Sequence, residues 1–349
     1  MMAFRLAQVA ITGLALLALI VTPSPLLVER YFARGLYPRL QQWLTSWSNQ
    51  TGVALFDFIT VALALFGLGL IVHAVRGAMR ARSVRPLFRG GWVVVWLGAI
   101  VYLGFLLAWG LNYARPALET TLPYEPANVT SDGVRRLAKR AVDEVNRLHA
   151  SGHAHGFPAS AEMPPALVQS FHGVERRLGR PMLTVPSRPK RTVFAAFFRA
   201  AGVDGMHAPF LLETLLNPDL TAPERPAVLA HEWAHLAGYA PEDEASFVGL
   251  VAAMRADPAS QYSAWLALLH EVVALLPRDE QQRVLGELAE GPRRDRSDIS
   301  RRQLQRVELV ARTSWRTYDQ YLKTQGVSEG VASYSRVVRL FLGTGAVDW

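Results

Sequence analysis

Three apolar runs in the first third of the chain decide where it can fold. Leu6–Val28 (LAQVAITGLALLALIVTPSPLLV) and Trp92–Leu111 carry no charged side chain, and Val53–Val75 is broken only by Asp57 and His73. Each is long enough to cross a hydrocarbon core of about 30 Å as a helix. Lipid offers no partner to an open backbone, so such runs must be helical where they cross. Between the second and third runs lie Arg76, Arg80, Arg82, Arg85 and Arg89, with no acid among them. Positive loops stay in the cytoplasm, which puts the N-terminus inside and everything after about Asn112 outside.

Arg5 followed by the first run fits the start of a signal peptide, but no Ala-x-Ala site follows, so the expectation is an uncleaved span. Residues 29–51, with Tyr31, Phe32, Tyr37, Trp43 and Trp47, read as an amphipathic stretch at the membrane interface or a short external helix. Asp57, near the outer end of its span, reads as an interfacial acid, with a transporter's proton relay as the alternative. The division expected is a membrane region over 1–111 and an extracytoplasmic domain over 112–349.

The chain contains no cysteine, so disulfides and thiolate metal sites are excluded. Only histidine and carboxylate remain as protein ligands for zinc. The net charge of +8 comes largely from arginines beside the membrane runs, where they set topology. Nucleic acid is therefore not an expected partner.

Within the second region, Leu229–Ser246 reads LAHEWAHLAGYAPEDEAS. His231 and His235 share one face of a helix, one turn apart, which lets two imidazoles grip one Zn²⁺. Glu232 lies one step round, able to take a proton from a metal-bound water. Thr221 with Glu224 forms a capping-box pattern, and Gly238 is suited to end the helix. A third ligand is needed, and Glu242-Asp243-Glu244 opens a second helix running from Pro241 to about Met254. Acids also gather in a first turn because the helix dipole favours them. A first-turn carboxylate would come back towards the histidines, with Glu242 and Glu244 both open as the ligand.

Elsewhere Ser131–Ala150 and Pro165–Gly179 read as helices and Ser151–Pro165 as a loop in which His153 and His155 form a weak metal pair. Thr184–Pro209 reads as the β region, with Val193–Phe198 a short apolar strand and Gly205–Phe210 either a substrate-pairing edge or a core strand. Glu213 either orients a ligand or caps a surface. Gln261–Leu276 reads as a helix, Gly291–Arg302 as a charged linker, and Arg306–Leu322 and Val331–Leu342 as closing helices. Tyr318, Tyr321 and Tyr334 are candidates to steady an oxyanion. The fold class expected is mostly α with a small sheet (α+β).

The His-Glu-x-x-His stretch resembles the zincin metallopeptidases, and Glu242-Asp243-Glu244-Ala245-Ser246 resembles the gluzincin Glu-x-x-[Ala/Ser]-[Asp/Asn] helix, with Glu242 in the ligand position. Ser246 departs from the Asp or Asn that orients a zinc histidine there, and the gap from His235 is shorter than in typical gluzincins. Nearly the full length resembles bacterial membrane proteins grouped as domain of unknown function 3810. Trp109-Gly110-Leu111-Asn112-Tyr113, Gly205 to Phe210, the zinc motif and Tyr321 to Tyr334 carry that resemblance. It implies a membrane-anchored zincin of the bacterial inner membrane. The function expected is hydrolysis of a protein, peptide or cell-wall crosslink by a zinc-activated water with Glu232 as base. The alternative is a non-catalytic zinc-stabilised envelope scaffold or sensor.

Overall fold

The computed structural model describes residues 2–325 and 336–349. Three helices are long and apolar enough to cross a membrane: α1 (Met2–Ile20), α4 (Leu55–Ala81) and α5 (Arg85–Ala108). The first stops short of Val28 because Pro23 and Pro25 interrupt it, leaving only the short turn α2 (Pro25–Leu27).

The segment between the first two of these apolar helices turns inward. A π-helical run, Val28–Leu36, leads into α3 (Tyr37–Ser48). Val28, Phe32, Tyr37, Gln41, Thr45 and Ser48 recur at helical spacing and are buried. Tyr37 Oη donates to Leu236 O at 2.7 Å, and Gln41 Nε2 to Val185 O at 2.8 Å. The segment thus belongs partly to the core of the region after residue 112, because its inner face supplies donors for carbonyls there. Trp43 and Trp47 occupy the opposite, exposed face.

The rest is mostly helical: α6 (Ser131–His155), α7 (Pro165–Arg177), α8 (Ala195–Ala201), α9 (Arg225–Leu236), α10 (Glu242–Ala253), α11 (Pro258–Ala274), α12 (Arg278–Gly286), α13 (Glu290–Gln303), α14 (Glu308–Thr324) and α15 (Val337–Thr344). A three-stranded sheet has the order β1 (Pro189–Lys190), β3 (Glu213–Leu216), β2 (Gly205–Ala208). β2 and the central β3 are antiparallel, Gly205 opposite Leu216 and Ala208 opposite Glu213, and β1 runs parallel to β3. The main core lies where α9 and α10 are enclosed by α6, α7, α11 and α15, around Trp233, Phe247, Tyr262 and Phe171.

Three segments differ from expectation. Val193–Phe198 is not a strand, since α8 takes most of it and buries Phe198 and Ala201; a six-residue apolar run fits either period. The helix α6 continues through the expected loop to His155, placing His153 and His155 in its last turn, where the dipole suits them. Gly291–Arg302 is not a linker but most of α13. Tertiary partners hold it: Arg302 Nη2 reaches Asp204 at 2.8 Å and pairs with Glu224, and Asp295 accepts from Tyr262 Oη at 2.6 Å.

Glu213 neither orients a ligand nor caps an open surface. Its carboxylate is fully buried, pairs with Lys190 Nζ at 2.5 Å, and accepts from the amides of Leu55 and Phe56 at 3.1 and 2.8 Å. It therefore caps the start of α4 from the central strand of the sheet. Asp57 is equally committed, accepting from Thr192 Oγ1 at 2.7 Å and Val193 N at 2.8 Å. An acid so occupied anchors the helix start.

Candidate metal centre

The helix carrying His231 and His235 starts from a real capping box, Thr221 N donating to Glu224 Oε2 at 2.8 Å, and ends at Gly238 with φ +86°. The chain turns and restarts as α10 with Pro241 at its N-cap. The two helices can lie unusually close because Gly249 faces the backbone of α9. A Cβ there would stand 2.6 Å from His231 N. This approach brings the first turn of α10 over the histidine face.

His231 Nε2 and His235 Nε2 lie 3.1 Å apart, and Glu242 Oε2 lies 3.2 Å from the first and 3.3 Å from the second. Donors on a tetrahedral ion at bond lengths of about 2.0–2.1 Å are separated by roughly 3.3–3.4 Å. The triangle therefore has the size of one face of such a site. His235 Nδ1 lies 2.9 Å from Tyr239 O, a group that only accepts. That bond fixes the proton on Nδ1 and turns the Nε2 lone pair towards Glu242. Ser246 Oγ lies 3.1 Å from His231 Nδ1, so the serine reaches the imidazole that an Asp or Asn would orient. Burial raises the Glu242 carboxyl, but His235 and His231 beside it hold it well below its ordinary range. As charged imidazoles the two histidines balance Glu242; as neutral ones they would present two lone pairs beside a carboxylate, a donor set that fits a divalent metal.

Glu244 faces elsewhere. Its carboxylate accepts from Leu118 N at 2.7 Å, and burial pushes its pKa up to about 7. Glu232 is buried, with Oε2 lacking a hydrogen-bond partner among the described residues. Burial pushes its pKa up to about 7, against the pull of His231 and His235. The edge strand β2 crosses directly above it, and a Cβ on Gly205 would meet Glu232 Oε1 at 2.5 Å.

Of the three tyrosines, Tyr318 donates to Glu242 Oε1. Tyr321 lies one turn further along α14, its ring 5.9 Å from that of Tyr113. Tyr334 lies outside the described residues. Three side chains without an assigned role in the sequence join the site. Trp109 Nε1 donates to His235 O at 2.8 Å, Tyr113 packs edge-on against Trp109, and the His207 ring of β2 lies tilted 5.0 Å from the Trp109 ring. The run Trp109–Tyr113, interrupting the end of an apolar span, was the signal available for the first two. His153 meets His149 and Asp295 rather than His155, with Nε2 2.8 Å from Asp295 Oδ2 in a half-exposed cluster.

A family model described as protein of unknown function (DUF3810) matches residues 32–342. No curated protein and no solved structure matches the chain.

Proposed function

Because the chain belongs to the DUF3810 family, whose description assigns no activity, we propose its function from the site alone: a membrane-anchored zinc hydrolase that cleaves amide bonds of protein, peptide or cell-wall chains. The observation that carries this reading is the triangle of His231, His235 and Glu242, with edges of 3.1–3.3 Å, beside a buried carboxylate that has no other assigned work. A zinc ion held by these three residues would polarise a water for attack on a carbonyl. Glu232 is the residue suited to take the water's proton and return it to the leaving amine. The edge strand above it suits backbone pairing with an extended chain. Tyr318, on Glu242, is the hydroxyl best placed to steady an oxyanion. A structural zinc site has no use for Glu232, which disfavours the scaffold reading. The Arg76–Arg89 loop supports a cytoplasmic N-terminus and a domain outside the bacterial inner membrane.

Metal analysis of the detergent-purified protein tests the reading. Wild type, Glu232→Gln and Glu244→Ala should hold near-stoichiometric zinc, and Glu242→Ala should not. A wild type that holds no zinc after reconstitution overturns it.

A further inference from the structure

Four exposed apolar side chains lie on the two segments that flank the start of α4. Trp43 and Trp47 are 68% and 50% exposed, and Val193 and Phe197 are 70% and 48% exposed. Short bonds tie the end of α3 to the strand segment before Val193, and the Val193 segment to the first turn of α4. Lys190 Nζ donates to Ser48 O at 2.5 Å, and Val53 bridges to Arg191. Val193 N donates to Asp57 Oδ2 at 2.8 Å, and the Phe194 ring packs 6.4 Å from Phe56. Leaving such side chains in water is unfavourable by about 25 cal/mol for each Å² of apolar area. Further along α4, Phe58, Val61 and Leu65 are exposed as well. Arg188 and Arg191, just before Val193, are also exposed. Tryptophan and basic side chains at the end of an apolar helix make up a membrane interface.

The neighbouring helix supplies the depth. From Arg89 to Trp109, α5 and its exit rise by about 30 Å, the thickness of a hydrocarbon core. Trp109 therefore falls at the outer boundary, and its ring lies 6.1 Å from that of His235. One turn deeper, Phe105 meets Phe210 at 6.5 Å and Tyr321 at 6.2 Å.

We propose that Trp43, Trp47, Val193 and Phe197 form a lipid-contact collar that seats the domain on the outer leaflet, so that the site works on polypeptides tethered to the same membrane. The collar stands on packing and exposure alone; the substrate class rests on the hydrolase reading above.

The chain has no cysteine, so single nitroxide labels can be placed directly. Val193→Cys, Phe197→Cys and Trp47→Cys occupy exposed positions that tolerate a label; Arg283→Cys on α12 is the aqueous control. In proteoliposomes of the full-length protein, the three collar labels should be more accessible to oxygen than to a water-soluble nickel chelate, and the control label the reverse. Nickel accessibility at 193 and 197 equal to that at 283 overturns the collar. Zinc content, read on the same samples, reports on the hydrolase reading independently. New protein N-termini, compared between cells carrying wild type and Glu232→Gln, then test the substrate class. Those dependent on Glu232 should fall within roughly ten residues of a span or lipid anchor, an extended reach of about 30 Å. New N-termini confined to soluble envelope proteins overturn that class, whereas collar labels in lipid with no zinc bound sink the hydrolase reading alone.

Discussion

His207 is buried with neither ring nitrogen hydrogen-bonded among the described residues. Burial, and to a lesser degree the neighbouring His235, hold its pKa well below 6.5. The unfolded chain protonates this imidazole below about 6.5, while the folded protein refuses the proton. The contribution of this group to stability is therefore complete above about pH 6.5 and falls as pH drops below it, by at most about 1.4 kcal/mol per pH unit, while Glu232 and Glu244, raised to about 7, act in the opposite direction over the same range. His207→Phe should raise Tm at pH 5 relative to Tm at pH 7, compared with wild type, read by intrinsic fluorescence in detergent; an unchanged difference shows that His207 does not contribute. At this scale the sequence was legible where a residue acts within its own helix. His231, Glu232 and His235 are fixed relative to one another by helical spacing, and Thr221 with Glu224 marks where that helix begins. The choice between Glu242 and Glu244 was not legible. It depends on how α10 rotates over α9, which Gly249 and the Leu118 amide determine from a distance.

Elements of low apolar contrast were the ones misread. The helix α13 has two-sided charge and only Pro292 buried, so its pattern resembles a solvated loop. Its order comes from Arg302 and Asp295 meeting partners on other elements. In contrast, α4 and α5 declare themselves by composition alone. The sheet is joined to the start of α4 through Lys190 and Glu213. Removing one partner of a buried ion pair costs roughly 3–5 kcal/mol. Glu213→Ala should accordingly lower Tm by on the order of 10 °C for a domain of this size. An apolar pair usually restores such a loss, but here Lys190→Met with Glu213→Leu should recover little. The amides of Leu55 and Phe56 would still lack their acceptor. Full recovery in the double variant would show that capping α4 contributes little.

For the whole molecule, orientation is the property on which the site's setting depends. The loop joining α4 to α5 should face the cytoplasm, and α12 the other side. Val84→Cys should react with a membrane-impermeant maleimide in inverted vesicles and resist it in intact spheroplasts. Arg283→Cys should show the opposite pattern. Matching patterns at both positions would refute the three-span topology.

The bond from Tyr37 Oη to Leu236 O joins residues 199 positions apart, with the two long apolar helices α4 and α5 between them. At synthesis rates of 5–20 residues per second, α3 leaves the ribosome roughly 10–40 s before its partner helix does. During that interval its inner face, with Phe32, Tyr37 and Gln41, has nothing to pack against. The time spent waiting, rather than the strength of the finished contacts, then governs how much of the chain reaches its native form. Slowing translation after the second span should lower yield without altering the stability of the molecules that do assemble.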